Sequence, residues 1–224
     1  MQKIFLKSLR SNYSYNNIIM AEQFWHDRIT DLSFAFVQHL RSQFTFVLIG
    51  GWAVYLYTKT LKSKDIDIIV DFDELGKMRE RFLLVKNDRL QKYEIKGEGF
   101  DVDIYVPHWS FVGLPADFVM DHAVALQGFR VPEKEILLAL KLFVYTQRKG
   151  SLKGKKDMLD VISMLYHAEP RLDRMRAILR EHHTAPIESE LREILRATHE
   201  VPELGLNQKQ FADFKKPLLK ELDR

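Results

Sequence analysis

Two stretches decide the fold. Residues 44–51 read Phe-Thr-Phe-Val-Leu-Ile-Gly-Gly, and residues 65–72 read Asp-Ile-Asp-Ile-Ile-Val-Asp-Phe. The first is a short apolar, β-rich run that stops at Gly50-Gly51, the pattern of a buried strand. The second alternates with period two, so residues two apart share a face. Asp65 and Asp67 then project together, while Ile66, Ile68 and Val70 face a core. Thirteen residues separate Gly51 from Asp65. That length accommodates one helix, read over 52–61, and a turn that returns the chain as a neighbouring strand.

This spacing brings a glycine turn and two carboxylates to one sheet edge. Glycine lets backbone approach a ligand closely, and the helix start that follows offers unpaired N–H groups to phosphate. Paired carboxylates repel unless a cation sits between them. Magnesium takes such oxygen ligands and completes its shell with phosphate and water. Ser63, just before the pair, is placed to add a hydroxyl to a phosphate oxygen. A third carboxylate comes from residues 100–106, Phe-Asp-Val-Asp-Ile-Tyr-Val. Asp101 and Asp103 share one face of this strand. The deeper Asp103 is preferred as the third metal ligand, with Asp101 the alternative. Three carboxylates suit a site with two Mg2+ ions, or Mn2+ in their place, one activating a hydroxyl and the other holding a triphosphate.

Outward from this centre, residues 21–43 carry apolar side chains at helical spacing. Residues 12–17 are polar and turn-like, and the opening segment reads as a peripheral arm. Residues 74–90 are charged with helical spacing. Residues 93–95 read as a strand, 116–126 as a short helix and 129–131 as a short strand. Beyond Pro132 the chain reads as helices over 133–148, 156–167, 171–182, 187–199 and 207–222. The fold class is therefore α/β (α+β): a small mixed sheet flanked by helices, followed by a C-terminal helical bundle. The boundary falls near residue 131, dividing a catalytic domain (1–131) from a helical domain (132–224) that forms the other wall of the cleft.

On that wall, Lys134, Lys141 and Arg148 recur every seven residues and line one helix face, opposite much of the apolar set. A basic stripe facing an acidic metal site suits a triphosphate. Asp157 and Asp160 lie three apart on the next helix and are placed to orient Lys141 or Arg148, or to contact the base or acceptor. Trp109 and Phe111 read as core residues more readily than as a base-stacking platform. His122 and His167 read as structural, and the adjacent His182 and His183 as surface.

The pattern Gly50, Gly51, Asp65, Asp67 and Asp103 resembles the nucleotidyltransferase superfamily that includes DNA polymerase β. That superfamily carries a Gly-Gly or Gly-Ser, a spacer, two carboxylates separated by one hydrophobic residue, and a distant third. Residues 135–141 (Glu-Ile-Leu-Leu-Ala-Leu-Lys), Arg148 and residues 155–161 (Lys-Lys-Asp-Met-Leu-Asp-Val) resemble the helical motifs of its AbiEii-like branch, the toxins of type IV toxin–antitoxin systems. The resemblance covers residues 44–166. It implies Asp65, Asp67 and Asp103 as catalytic metal ligands. It implies Gly50, Gly51, Ser63, Lys141, Arg148, Asp157 and Asp160 around the nucleotide. The implied activity moves a nucleoside monophosphate from an NTP such as ATP onto a hydroxyl, with RNA or tRNA as acceptor and a cognate antitoxin as partner. Two alternatives stay open: nucleotidylation of a small molecule, as in aminoglycoside-modifying members, and a non-catalytic nucleotide- or RNA-binding module.

Composition is compatible with this. Hydrophobic residues make up 46% and charged residues 29% of 224, as in globular proteins. The net charge of +3 permits a nucleic-acid partner only if the basic residues cluster, as Arg148, Lys149, Lys153, Lys155 and Lys156 do. No cysteine is present, which excludes disulfides and thiolate metal sites. The longest apolar stretch, 44–57, is shorter than the roughly 20 residues of a membrane span. The N-terminus lacks the long apolar core of a secretory signal. A cytoplasmic protein without membrane contact is expected.

Overall fold

A computed structural model describes residues 15–223, with side chains from Asp27 onward. The arm expected at the N-terminus lies mostly outside these residues. The elements run α1 (Tyr15–Arg41), β1 (Val47–Ile49), α2 (Gly50–Thr58), β2 (Ile66–Ile69), α3 (Phe72–Arg81), β3 (Val85–Asn87), β4 (Lys92–Lys96), β5 (Asp101–Tyr105), α4 (Ala116–Asp121), β6 (Ala123–Leu126), β7 (Phe129–Pro132), α5 (Lys134–Arg148), α6 (Leu152–Ser163), α7 (Leu172–Glu181), α8 (Ile187–Ala197) and α9 (Gln208–Leu222). The seven strands form one mixed sheet in the order β3-β4-β5-β2-β1-β7-β6.

β2 is antiparallel to β1 and parallel to β5. Its alternation does what the sequence indicates, since Ile66 and Ile68 are fully buried. The two flanking strands share that logic: Val102 and Ile104 of β5 and Val47 and Leu48 of β1 enter the same apolar core. The glycines do not precede α2 but form its first turn, with Gly50 in the left-handed region at φ +66°. α2 continues with buried Trp52, Ala53, Val54 and Leu56, so this helix is apolar nearly all round and can only run through the interior. The Trp52 indole N–H donates to Ser33 Oγ on α1 at 3.0 Å.

The helical spacing over 74–90 persists only to Arg81. Asp71 caps α3 by accepting from Glu74 N at 2.7 Å, and the helix stops where Phe82 turns extended. Phe82 packs against Phe36 and Phe44. The chain then makes strand β3 and returns through residues 88–91 as β4, an antiparallel hairpin. Likewise, the helix expected over 116–126 ends at Asp121, and residues 123–126 pair with β7. In both places a short strand takes its hydrogen bonds from the adjacent strand of a hairpin, a pairing that the periodicity of the strand's own few residues does not register.

α5 and α6 pack closely on each other and on α2. Residues from Val37 to Leu222 share one contiguous apolar cluster spanning the expected boundary at 131. α6 begins at Leu152, four residues earlier than expected, because Ser151 caps it by accepting from Gly154 N. It ends in a π-turn over Met164–Ala168. Among the described residues no helix is long and apolar enough to cross a membrane.

Candidate active site

The site lies where β1 gives way to α2, beside β2 and β5. Register places it: Asp67 stands opposite Ile49 on β1 and beside Asp103 on β5. Two carboxylates thus occupy neighbouring positions on one face of parallel strands. Gly50 closes over them. A β-carbon at Gly50 would overlap the Asp67 carboxylate, and φ there is one that side chains rarely adopt. Gly50→Ala is therefore expected to cost about 1–3 kcal/mol in backbone strain alone and to displace Asp67. Urea unfolding of the variant checks the first effect, and metal affinity the second.

Asp67 is half-buried. Burial first, then the charges of Asp103 and Asp65, push its pKa up from 3.8 to about 6, against the opposing pull of Lys141 and Arg148. Asp103 is also shifted upward by burial, with Lys92 opposing. Burial raises Tyr105 well above the phenol range, reinforced by Asp67 and Asp103. Negative charge is therefore in excess at this point of the sheet.

The remaining expected carboxylates sit further out. Asp65 precedes β2 rather than forming part of it. Its side chain is 42% exposed and lies 4.0 Å from Lys153, and its Oδ1 accepts from Asp101 N at 3.3 Å. Asp101 pairs with Lys96 at 3.0 Å. Asp103, rather than Asp101, is the neighbour of Asp67.

Two residues not singled out in the sequence complete the floor. Lys92 on β4 donates to Asp103 Oδ2 at 2.6 Å and lies 2.9 Å from Glu94 Oε1. Lys92 and Glu94 are both buried. Glu94 is also 2.8 Å from Lys96, and the Lys96 and Lys92 ammoniums hold its pKa down at about 2. The signal was present as complementary alternation. Lys92, Glu94 and Lys96 on one strand face Asp103 and Asp101 on the next, but only the β4–β5 pairing brings them together.

The opposite wall comes from α5 and α6. Lys141 is buried, 2.7 Å from Asp160 Oδ2 and 3.5 Å from Asp157 Oδ1. Burial lowers its pKa, but Asp160 and Asp157 outweigh this and the net shift is upward. Arg148 reaches Asp157 at 3.6 Å, and Lys156 reaches Asp160 at 3.6 Å. The two aspartates therefore hold three cations. Lys156, part of the basic cluster and of the motif over residues 155–161, stands at the glycine turn. A β-carbon on Gly51 would lie 3.0 Å from Lys156 Nζ and 2.6 Å from Ser63 Oγ. Ser63 is buried and its hydroxyl donates to Asp65 O at 3.1 Å.

Lys134 does not join this wall. It donates to the carbonyls of Ala168 and Glu169, both at 2.9 Å, closing the end of the π-turn. Seven-residue spacing keeps side chains on one helix face but separates Lys134 from Arg148 by about 21 Å along the axis. Trp109 packs on Tyr93, half-buried as expected of a structural residue, whereas Phe111 meets Phe143 edge-on but is 43% exposed and so is not the core residue expected. His122 and His182 both lie against Phe118.

The donor set fits a divalent ion in kind. Asp65, Asp67 and Asp103 are hard oxygen ligands, their charge is uncompensated at Asp67, and Gly50 leaves the carboxylate uncovered by a side chain. The fit in spacing is looser. Among the described residues no three acidic or histidine side chains are gathered as a metal-binding group, and one oxygen of Asp103 is engaged by Lys92.

Neither a protein-family model nor a curated protein matches the chain. Solved structures do. A protein from H. pylori, assigned by its description to the nucleotidyltransferases, aligns at a TM-score of 0.50 and 16% identity over 88% of this chain and 95% of its own. A nucleotidyltransferase-like antigenic protein from Paracoccidioides brasiliensis aligns at 0.38 and 18% identity over 88% and 92%. JHP933 from Helicobacter pylori aligns at 0.45 and 14% identity over 95% of each chain. The first is similar enough in shape to bear on the fold, and at that identity it bears on the fold alone. The mixed sheet and its flanking helices give this chain a nucleotidyltransferase-like fold.

Proposed function

We propose that this chain is a metal-dependent nucleotidyltransferase that moves a nucleoside monophosphate from an NTP onto a hydroxyl. One observation carries the reading: Asp67, half-buried against Gly50 and beside Asp103, is a carboxylate short of positive charge, opposite a wall of cations. A pure binder of phosphate gains nothing from such a pair.

Asp65, Asp67 and Asp103 would hold divalent metal, which supplies charge to the phosphates and acidifies the acceptor hydroxyl when bound. Gly51, Ser63 and Lys156 frame the space at the start of α2, where backbone N–H groups favour phosphate. Lys141 and Arg148, fixed by Asp157 and Asp160, add positive charge in a partly dry cleft, where it counts most. The acceptor oxygen bonds to the α-phosphorus as the bond from that phosphorus to the bridging oxygen breaks. Pyrophosphate leaves with the electron pair, and the hydroxyl proton passes to Asp103.

For the acceptor we propose an RNA end, tRNA included, on the strength of the AbiEii-like pattern over 135–161 and the basic residues around α6. A toxin-like role with a cognate antitoxin follows from the same resemblance. The test incubates the purified protein with each labelled NTP, Mg2+ and total RNA, alongside Asp67→Asn. Label entering RNA with wild type alone supports the proposal. Label on small molecules instead moves the acceptor to that class. Bound nucleotide without transfer to any acceptor overturns the enzymatic reading. Growth arrest on induced expression, absent with Asp67→Asn, tests the toxin-like role.

A further inference from the structure

We propose that the acceptor enters as a single-stranded RNA end whose last phosphates are met by Lys64 and Lys153 at the rim beside Asp65, with Lys149 and Lys155 taking no part in holding it. The inference rests on the nucleotidyl-transfer reading above and names the part of an RNA that the site grips.

The basic residues around the start of α6 do not form one free positive face. Lys149 lies 3.1 Å from Glu190 and 2.7 Å from Glu193 of α8, and Lys155 lies 3.0 Å from Glu203. Carboxylates outside the site thus neutralise both. Arg148 and Lys156 are turned to Asp157 and Asp160 on the inner wall. Lys153 differs from these four. Its side chain is 73% exposed, and the carboxylate it reaches is Asp65, at 4.0 Å. An exposed pair at that distance contributes little, so this ammonium is free to turn to a phosphate.

A second cation stands at the same carboxylate. Lys64, next to Asp65 in the chain, is exposed and enters no ion pair among the described residues. Its neighbours are engaged: Lys62 pairs with Asp31 at 2.7 Å, and the Ser63 hydroxyl donates to Asp65 O. Two ammoniums from separate parts of the chain therefore border Asp65, which is open to solvent where Asp103 is half-buried. That is the side from which an acceptor can approach while the inner wall holds the triphosphate. Leu152, just before Lys153, is 91% exposed. It offers apolar contact to an unpaired base, whose faces a duplex hides by stacking. A duplex binder needs cations spread along many phosphates. Two at one point suit a strand end.

Binding of a fluorescein-labelled single-stranded octaribonucleotide is followed by anisotropy over a series of KCl concentrations. In wild type the logarithm of affinity should fall against that of salt with a slope of about −1.4, from two phosphates at about 0.7 each. Lys64→Met and Lys153→Met should each weaken binding and flatten the slope by about 0.7. Lys149→Met and Lys155→Met should change neither. A wild-type slope near −3.5, roughly that of five engaged cations, overturns the inference. So does an unchanged slope in Lys153→Met, a loss in Lys149→Met equal to that in Lys153→Met, or a blunt-ended RNA duplex that binds as tightly as the single strand. If wild type does not bind the octaribonucleotide yet labels a small molecule from an NTP, the inference falls and nucleotidyl transfer stands. If the slopes are as expected but label enters no acceptor, the docking surface stands and the transfer reading falls.

Discussion

Asp67→Asn is expected to abolish nucleotide transfer and, at the same time, to stabilise the metal-free protein. The loss follows from removing a charged ligand at the point where phosphate charge must be met, about a thousandfold or more in rate, or roughly 4 kcal/mol. The gain follows from linkage. In the folded protein Asp67 titrates near 6 instead of 3.8, so the native state binds its proton more tightly than the unfolded chain does. Below about pH 4 both states are protonated and the group is neutral in its effect. As pH rises from about 4 to 6 the unfolded chain ionises first, and stability falls. Above 6 the full cost of the buried charge is present, up to ~3 kcal/mol for a shift of this size. Asparagine carries no such charge. Urea unfolding at pH 4.5 and pH 7.5, without metal, should show the variant's advantage about 2 kcal/mol larger at the higher pH, since only part of the cost is present at pH 4.5. Saturating Mn2+ should reverse it, because only the wild-type carboxylate gains from the ion. An unchanged stability difference at the two pH values would contradict the account of Asp67.

Lys141→Met is expected to be among the most destabilising single changes in the molecule, by about 3–5 kcal/mol. Methionine matches the stem in volume, so packing is conserved and the effect is electrostatic. Loss of the ammonium leaves Asp157 and Asp160 buried without their closest cation, where Asp157 Oδ2 and Asp160 Oδ1 already lack hydrogen-bond partners. Only Arg148 and Lys156, each at 3.6 Å, remain to balance them. Adding Asp160→Leu should recover most of the stability, since an apolar replacement of a buried pair is often close to neutral. It should not recover NTP affinity, which depends on the cation. Denaturant melts of the single and double variants, with nucleotide titrations of each, separate the two roles of Lys141. Full recovery of nucleotide binding in the double variant would remove Lys141 from the phosphate wall.

Much of this centre was legible in the sequence because its components are local. The alternation of residues 65–70 puts Asp67 and Ile66 on opposite faces whatever the rest of the chain does. The glycines at 50 and 51 mark a close approach, and thirteen intervening residues leave room for one helix and a return. The helix over 133–148 appears as α5 (Lys134–Arg148). Asp157 and Asp160 had to share a helix face from their spacing alone. The failures share a different cause. β3 and β6 are short strands whose stability comes from partners, and residues 82–87 and 123–126 carry no decisive periodicity of their own. Lys134 shares a face with Lys141, yet it is used at the far end of the helix to close the π-turn.

Residue types and intervals along the chain determined by themselves which side chains face the core and where the chain turns tightly. Those are consequences of backbone geometry within a few residues. Which carboxylate stands beside Asp67, which ammonium engages it, and which lysine overlooks the glycine turn were decided only by the strand order β4-β5-β2-β1 and the packing of α6 on α2. Residues distant in the sequence meet there because burying apolar faces selects one pairing among many, and the charges at the site take their partners from that pairing.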